Sequence, residues 1–318
     1  MTSMKSSVTA VAPCSTANLG PGYDVFGLAL DAMSDRVTIA RARSGEPPIT
    51  IKMLDDSGAI SVIPGSNSAG RVVERMAAEL SISDPVLVRV KKGVPAGYGL
   101  GSSAASAAAA AVAFNTLFRT RVGKQELVEY AAEGEIASAG TKHYDNVSAS
   151  VLGGFVITSV SGGKKSFISL MPPRDLVLVV AIPLSMKVPE KKTEAARQVL
   201  PQVVPLKDVV HNVSSASTIV AGFALKDPDM IARAVYDVIV EPARKHLVPG
   251  YEAVKRNALA AGALGVTISG AGPSMIAFLN GSRKAKNVAA SMKEGFATSG
   301  IESRAIVCRP SGGARVIP

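Results

Sequence analysis

The segment that most restricts this chain is Val94-Pro95-Ala96-Gly97-Tyr98-Gly99-Leu100-Gly101-Ser102-Ser103, which runs directly into the apolar, alanine-rich stretch Ala104 to Phe118. Alanine is the strongest helix former, so the stretch predicts a long helix. Three glycines at alternate positions let the backbone take positive φ and approach a ligand without Cβ atoms in the way. Ser102 and Ser103 are expected to cap the helix, whose first turn offers unpaired N–H groups and roughly half a positive charge. That combination suits an anion, phosphate above all. A glycine turn that merely enters a packed helix would use the same residues, so the loop alone leaves both readings open. It is neither a P-loop nor a dinucleotide fingerprint, because no Gly-Lys-Ser/Thr follows at the right spacing and Ser102 stands where the third glycine would be.

With 318 residues and 47% hydrophobic content, the chain can bury one large core or two medium ones. A formal charge of +10 favours an anionic partner. The basic residues are scattered, the densest runs being Lys91-Lys92, Lys164-Lys165 and Lys191-Lys192, and an aromatic content of 4% leaves little to stack on bases. This points away from nucleic acid and toward a phosphorylated or carboxylated small molecule. Cys14 and Cys308 lie too far apart in sequence to suggest a disulfide framework or metal knuckle, and fit a reducing, cytoplasmic setting. The apolar run before Pro13 is too short for a secretion signal, and Ala104 to Phe118 falls short of the ~20 residues that span a bilayer. No membrane anchor is expected.

Strands are expected at Val8–Ala12, Arg36–Arg43, Ile49–Met53, Val86–Val90 and Val151–Val160, and helices at Ala69–Leu80 and Lys124–Ser138. The second half opens on Leu176–Ile182, a continuous apolar run typical of a buried strand. Helices at Thr193–Leu200, Val209–Leu225, Asp229–Val240, Tyr251–Ala261 and Arg283–Ser299 follow, with strands at Gly265–Ser269, Met275–Leu279 and Glu302–Cys308. Sheets covered by helices in both halves indicate an α+β protein. Ser161-Gly162-Gly163-Lys164-Lys165 and Met171-Pro172-Pro173 are the weakest-packed composition in mid-chain, and divide it into domains at 1–165 and 166–318.

Three ordered blocks carry a family resemblance. Pro95 to Ala105 resembles the second motif of the GHMP kinases, the superfamily of galactokinase, homoserine kinase and the mevalonate-pathway kinases. Pro13-Cys14-Ser15-Thr16-Ala17-Asn18-Leu19-Gly20-Pro21-Gly22-Tyr23-Asp24 resembles the first motif, and Ser269-Gly270-Ala271-Gly272-Pro273-Ser274 the third. Outside these, Glu135 with His143-Tyr144-Asp145-Asn146, Thr193 to Arg197, Glu241-Pro242-Ala243-Arg244 and Gly313 to Val316 are similar to the homoserine kinase branch. The resemblance covers residues 8 to 318. It implies an N-terminal ribosomal-protein-S5-like α/β domain, a C-terminal ferredoxin-like domain, ATP-dependent phosphorylation of L-homoserine on the way to threonine, and a homodimer as a family-level expectation.

The resemblance also assigns residues. Pro95, Ala96, Gly97, Tyr98, Gly99, Leu100, Gly101, Ser102 and Ser103 are expected to hold ATP, with Tyr98 and Asn67 as candidates for the adenine end. Glu135 matches the metal carboxylate, with Ser103 or Ser102 as a second ligand for Mg²⁺; Glu133, two positions away, points to another helix face and is expected at the surface. Homoserine carries a carboxylate, an ammonium and a hydroxyl, so arginine forks should stand at one end of its site and carboxylate or amide groups at the other. Arg197 and Arg244 are assigned to the carboxylate, Asn18 and Asp24 to the ammonium and hydroxyl. His143 either touches substrate or fixes its loop; His211 and His246 are expected in packing or surface roles. Thr193, Asp145 and Asn146 belong to the catalytic group. An Asp of ordinary pKa near 4 is a poor base for an alcohol, which favours direct attack with Asp145 and Asn146 orienting. The rivals are another GHMP small-molecule kinase, for shikimate or mevalonate, and a non-catalytic metabolite sensor; Glu135 beside the two serines argues against a sensor.

Overall fold

The computed structural model describes residues 6–54, 62–186 and 192–318, so Lys191 of the expected basic pair lies outside the described residues. Among these, seven strands form the first sheet: β1 (Ser7–Ala17), β2 (Phe26–Arg41), β3 (Ile49–Met53), β4 (Val86–Lys91), β5 (Phe155–Ser161), β6 (Lys164–Leu170) and the terminal β11 (Arg315–Ile317). Their order is β11-β1-β2-β4-β3, and β5 joins through β2 and carries β6. The long β2 is shared, pairing β4 through Arg36–Arg41 and β5 through Phe26–Leu28. A register shift between Pro13 and Cys14 bends β1 beside it. Such irregularities re-aim a strand, and here the re-aimed end carries Ser15 to Leu100 and Thr16 to Ser269.

Helices α1 (Ser68–Glu79), α2 (Ser102–Phe118), α3 (Lys124–Ala139) and α4 (Asp145–Leu152) cover this sheet. The alanine helix α2 is the central one: Ala104, Ala107 to Ala111 and Ala113 are fully buried among α1, α3, α4 and the sheet. A helix apolar all round must be enclosed, and alanine's small side chain lets four elements approach it at once. Asn67 starts α1 by accepting the Ala69 and Gly70 N–H groups at 3.0 and 3.2 Å, a cap typically worth about 1 kcal/mol.

The second half is built on β7 (Leu176–Pro183), β8 (Gly265–Ile268), β9 (Met275–Asn280) and β10 (Ser303–Cys308), in the antiparallel order β10-β7-β9-β8. This is the fourth-first-third-second order of a split β-α-β, or ferredoxin-like, unit. Between and after these strands come α5 (Lys192–Gln198), α6 (Leu206–Leu225), α7 (Pro228–Arg233), α8 (Val240–Arg244), α9 (Tyr251–Ala260) and α10 (Ala285–Ala297). Alternation along β7 explains its unbroken apolar run. Leu176, Leu178, Val180 and Ile182 face a core shared with the first sheet, α6 and α7, whereas Val177, Val179 and Ala181 face α9 and α10. In the shared core Phe155 of β5 stacks on Phe223 of α6, with centroids 3.9 Å apart, so the halves are joined by hydrophobic packing as well as by chain.

Three expectations are corrected. Val151 and Leu152 close α4 rather than opening a strand, which begins at Phe155. Ser161-Gly162-Gly163 is the tight turn of the β5–β6 hairpin, so a boundary at 165/166 would cut β6, and β11 returns the chain to the first sheet. The expected helix Asp229–Val240 is two short ones: Asp237 accepts the Ile239, Val240 and Glu241 N–H groups and starts α8 afresh.

Candidate active site

The three glycine-bearing motifs meet at a cavity of about 590 Å³ between the halves. Ser15 N–H donates to the Leu100 carbonyl at 3.1 Å, and the Ser269 hydroxyl donates to Gly99 O at 2.7 Å. Backbone approaches this close leave no room for side chains. A Cβ on Gly99, at φ +74°, would lie 2.2 Å from Ser269 O, and one on Gly101, at φ +65°, 2.2 Å from Ser15 Oγ.

Gly101, not a serine, occupies the cap position of α2 and makes no side-chain cap, which corrects the expected roles of both serines. They are the first two helical residues. Ser102 Oγ donates to Val94 O at 2.8 Å and closes the loop on itself. Ser103 Oγ donates to Glu135 Oε1 at 2.5 Å. Beneath the loop, buried Asp35 accepts the Gly93 and Val94 N–H groups at 2.9 and 3.0 Å, the Ser106 hydroxyl and the Lys92 ammonium. Lys92 donates in turn to Ser102 O at 2.8 Å, so both ends of the loop are fastened to one buried ion pair. Breaking such a pair typically costs about 3–5 kcal/mol. The loop is thereby pre-formed, with the first turn of α2 facing the cavity.

Glu135, at 7% exposure, and Asp145, at 6%, are the buried carboxyls on the cavity wall. Burial raises Glu135 to about 7; the Ser103 hydroxyl draws it down, Asp145 pushes it up and Lys92 lowers it. Burial likewise raises Asp145 to about 6, opposed by the Asn146 N–H and reinforced by Asp24. The value near 4 on which the orienting role of Asp145 rested does not hold here. A carboxylate, a hydroxyl and nucleotide phosphate oxygens form the all-oxygen donor set that Mg²⁺ takes, and Glu135 with Ser103 fits it. Glu133 faces elsewhere and pairs with Lys142 at 2.5 Å.

At the other end, Arg197 of α5 reaches both Asp24 oxygens at 2.8 Å and His143 Nδ1 at 3.1 Å. Arginine only donates, so Nδ1 accepts and His143 carries its proton on Nε2, facing Thr141 Oγ1. Burial, then Arg197, lowers the His143 pKa, consistent with a neutral ring. Arg244 of α8 is buried, donating from Nε to Ala196 O at 2.8 Å and from Nη1 to Gly270 O at 3.3 Å. Asn18 uses its amide on the protein: Nδ2 donates to Gly270 O at 3.0 Å, and Oδ1 accepts Asp24 N–H at 3.1 Å. It joins the first motif to the third. Asn146 Oδ1 accepts from Ser15 Oγ at 2.9 Å. Thr193 lies on the wall beside Lys192.

Pro95 and Tyr98 lie off the cavity wall; the Tyr98 hydroxyl donates to Leu184 O at 3.3 Å, tying the loop to the second half. Asn67 is on the wall but its carbonyl caps α1. His211 packs edge-on against Tyr236. Sequence reasoning missed Tyr23, Asp35, Lys92 and Lys192. Lys92 and Lys192 stand out in the sequence only as members of basic pairs; Lys92 is bound to Asp35, and Lys192 donates to Gly272 O, its pKa lowered by burial and Arg244 to about 7. The even spacing of Asp35 and Val37 along a strand was the available signal, since it puts a carboxylate on the apolar face.

A glycine loop at a helix N-terminus, a metal-competent carboxylate beside it and two arginines across one cavity define a small-molecule kinase of two fused α+β domains. Residues 67–154 match the family described as "GHMP kinases N terminal domain" and residues 219–298 that described as "GHMP kinases C terminal". A homoserine kinase of Halorubrum lacusprofundi is 39% identical over 98% of this chain and 99% of its own. The crystal structure of homoserine kinase from Cytophaga hutchinsonii superposes with a TM-score of 0.92 at 34% identity, covering 100% of this chain and 99% of that one. The mevalonate kinase of L. major, at 16% identity and TM-score 0.69 over 97% and 98%, shares the fold alone. The chain belongs to the GHMP kinase family, in its homoserine kinase branch.

Proposed function

We propose that the protein transfers the γ-phosphoryl group of ATP to the hydroxyl of L-homoserine, giving O-phospho-L-homoserine, a step toward threonine. The observation that carries this reading is one cavity with a pre-formed anion loop and Glu135 at one end and Arg197, Arg244, Asp24 and His143 at the other. The loop N–H groups and the start of α2 receive the phosphates. Glu135 and Ser103 would hold Mg²⁺, which supplies neutralisation of the charge on the transferring phosphoryl group. Arg197 and Arg244 take the carboxylate of homoserine, and Asp24 its ammonium. The half-exposed Arg197–Asp24 pair is of a kind worth about 0–1 kcal/mol, so it yields readily to a zwitterion that offers both partners new ones.

In a loose transition state the hydroxyl needs alignment more than deprotonation, and Asp145 and Asn146 line the path between the two ends. Asp145→Asn is therefore expected to lose less than the roughly 10²- to 10⁴-fold typical of removing a general base. A larger loss with binding intact would make Asp145, already raised to about 6, the base. The function is tested by ADP release with Mg-ATP against homoserine, mevalonate, shikimate, galactose and no acceptor. Homoserine should give the highest kcat/KM; a higher value for another acceptor, or no release with any, overturns the reading.

A further inference from the structure

Tyr23 has no role in the reaction as described, yet it lies on the cavity wall between the two arginines. The guanidinium carbon of Arg244 is 5.0 Å from its ring centroid and that of Arg197 is 5.5 Å. The three side chains come from three separate segments: the β1–β2 loop, α5 and α8. Two cations brought to one end of a partly desolvated cavity repel each other. An aromatic face, negative at its centre, attracts both. The phenolic oxygen is buried and closes no hydrogen bond of good geometry, although the hydroxyl lies near enough to Arg244 for each to shift the other's pKa; the ring face borders both arginines.

The ring is also held in place. Asn18 and Asp24 take left-handed backbone at φ 71° and 58° on either side of it. The turn is locked by Gly22 N–H to Asn18 O at 3.0 Å, Phe26 N–H to Gly22 O at 2.9 Å, and Asp24 N–H to Asn18 Oδ1 at 3.1 Å. Arg197 has in addition a buried Nε with no hydrogen-bond partner among the described residues. Its position therefore rests on Asp24, His143 and the Tyr23 ring. When a zwitterion displaces Asp24, the ring remains.

We infer that Tyr23 is a positioning residue for the acceptor's carboxylate, its π face holding Arg197 and Arg244 side by side. The inference rests on the acceptor-site reading above. It is tested in the full chain with Tyr23→Leu and Tyr23→Phe. Rates against homoserine at saturating Mg-ATP are combined with NMR of the arginine side-chain N–H and CH₂ signals without substrate. Tyr23→Leu should raise the homoserine KM about tenfold, with kcat and the KM for ATP within about threefold of wild type, and Tyr23→Phe should stay within about threefold throughout. The ring-current displacement of the Arg197 and Arg244 signals should persist in Tyr23→Phe and vanish in Tyr23→Leu. Tyr23→Met, unbranched and without a π face, serves if Tyr23→Leu does not fold. An unchanged KM in the Leu or Met variant overturns the inference, as does an equal loss in Tyr23→Phe, which would move the effect to the hydroxyl. If the wild type releases no ADP with homoserine, the acceptor reading fails, and the NMR displacement still decides whether the ring holds the arginines.

Discussion

At the phosphate end of the cavity the working backbone hangs on Asp35 and Lys92, whose side chains are 0% and 10% exposed. At the acceptor end Arg197 and Asp24 pair with side chains 36% and 41% exposed. The same chemistry, a carboxylate against a cation, serves opposite purposes in the two places. Buried, it cannot exchange partners cheaply and fixes a loop shape. Half in water, it contributes little and is replaceable by a substrate that carries both charges. In the proposed function, the end that receives the constant phosphate part and the end that closes on a small zwitterion thus differ in burial more than in residue type.

The sharpest way to break the comparison is stability. Asp35→Ala should lower the free energy of unfolding in urea by about 3–5 kcal/mol, because it removes the buried carboxylate that pairs with Lys92 and accepts the Gly93 and Val94 N–H groups and the Ser106 hydroxyl. A loss under about 1 kcal/mol would put the two ion pairs in one class.

Catalysis comes next. Glu135→Gln should reduce kcat by about 10²-fold, at the upper end for residues that tune a metal site, with Glu133→Gln near wild type. Comparable losses for the two in steady-state assays would leave the metal assignment without support. Arg244→Met should raise the homoserine KM by an amount equivalent to about 2–4 kcal/mol while leaving that for ATP nearly unchanged. Equal damage to both would move Arg244 from the acceptor to the fold.

The pH dependence sharpens the contrast further. Glu135 has its folded pKa raised from 4.5 to about 7, so the folded protein holds more protons than the unfolded chain between those values. Stability then falls as pH rises through that window, and Glu135→Gln removes its share of the fall. Urea melts of the two proteins should differ in slope between about pH 4.5 and 7 and run parallel above it, as linkage requires. In the proposed role of Glu135 as a Mg²⁺ ligand the carboxylate form is required, so nucleotide-dependent stabilisation should weaken as pH drops below about 7. Smallest of all, Asp24→Asn should change unfolding free energy by no more than about 1 kcal/mol, yet raise the homoserine KM, measurable by the same melts and rates.

Much of the fold was legible because its signals are local. The alanine helix, the apolar run of β7 and the helical spacing before Leu80 are each set by side chains within a few residues of one another. What went unread depends on partners distant in sequence. β2 begins at Phe26 because Gly27 and Leu28 find Val156 and Phe155, which no period within Phe26–Asp31 announces. The helix expected over Asp229–Val240 breaks because Asp237 prefers the N–H groups ahead of it, a choice supported by Asn212 from α6.

The sequence by itself determined the class of chemistry. Glycines at 97, 99 and 101 before two serines show in the residue types themselves, whereas Arg197 and Arg244 stand out only through their likeness to the family's blocks, and their role is a proposal. Tertiary structure decided which atoms are occupied and which face the cavity. Ser102 and Ser103 are neighbours of one kind, and only the fold spends the first on Val94 and turns the second to Glu135. Lys92 and Lys192 are no more than members of basic pairs in the sequence, and their partners Asp35 and Gly272 come from elsewhere in the chain. Burial is a property of the whole fold, and burial is what lifts Glu135 to about 7 and separates the ion pair that holds a loop from the one that gives way.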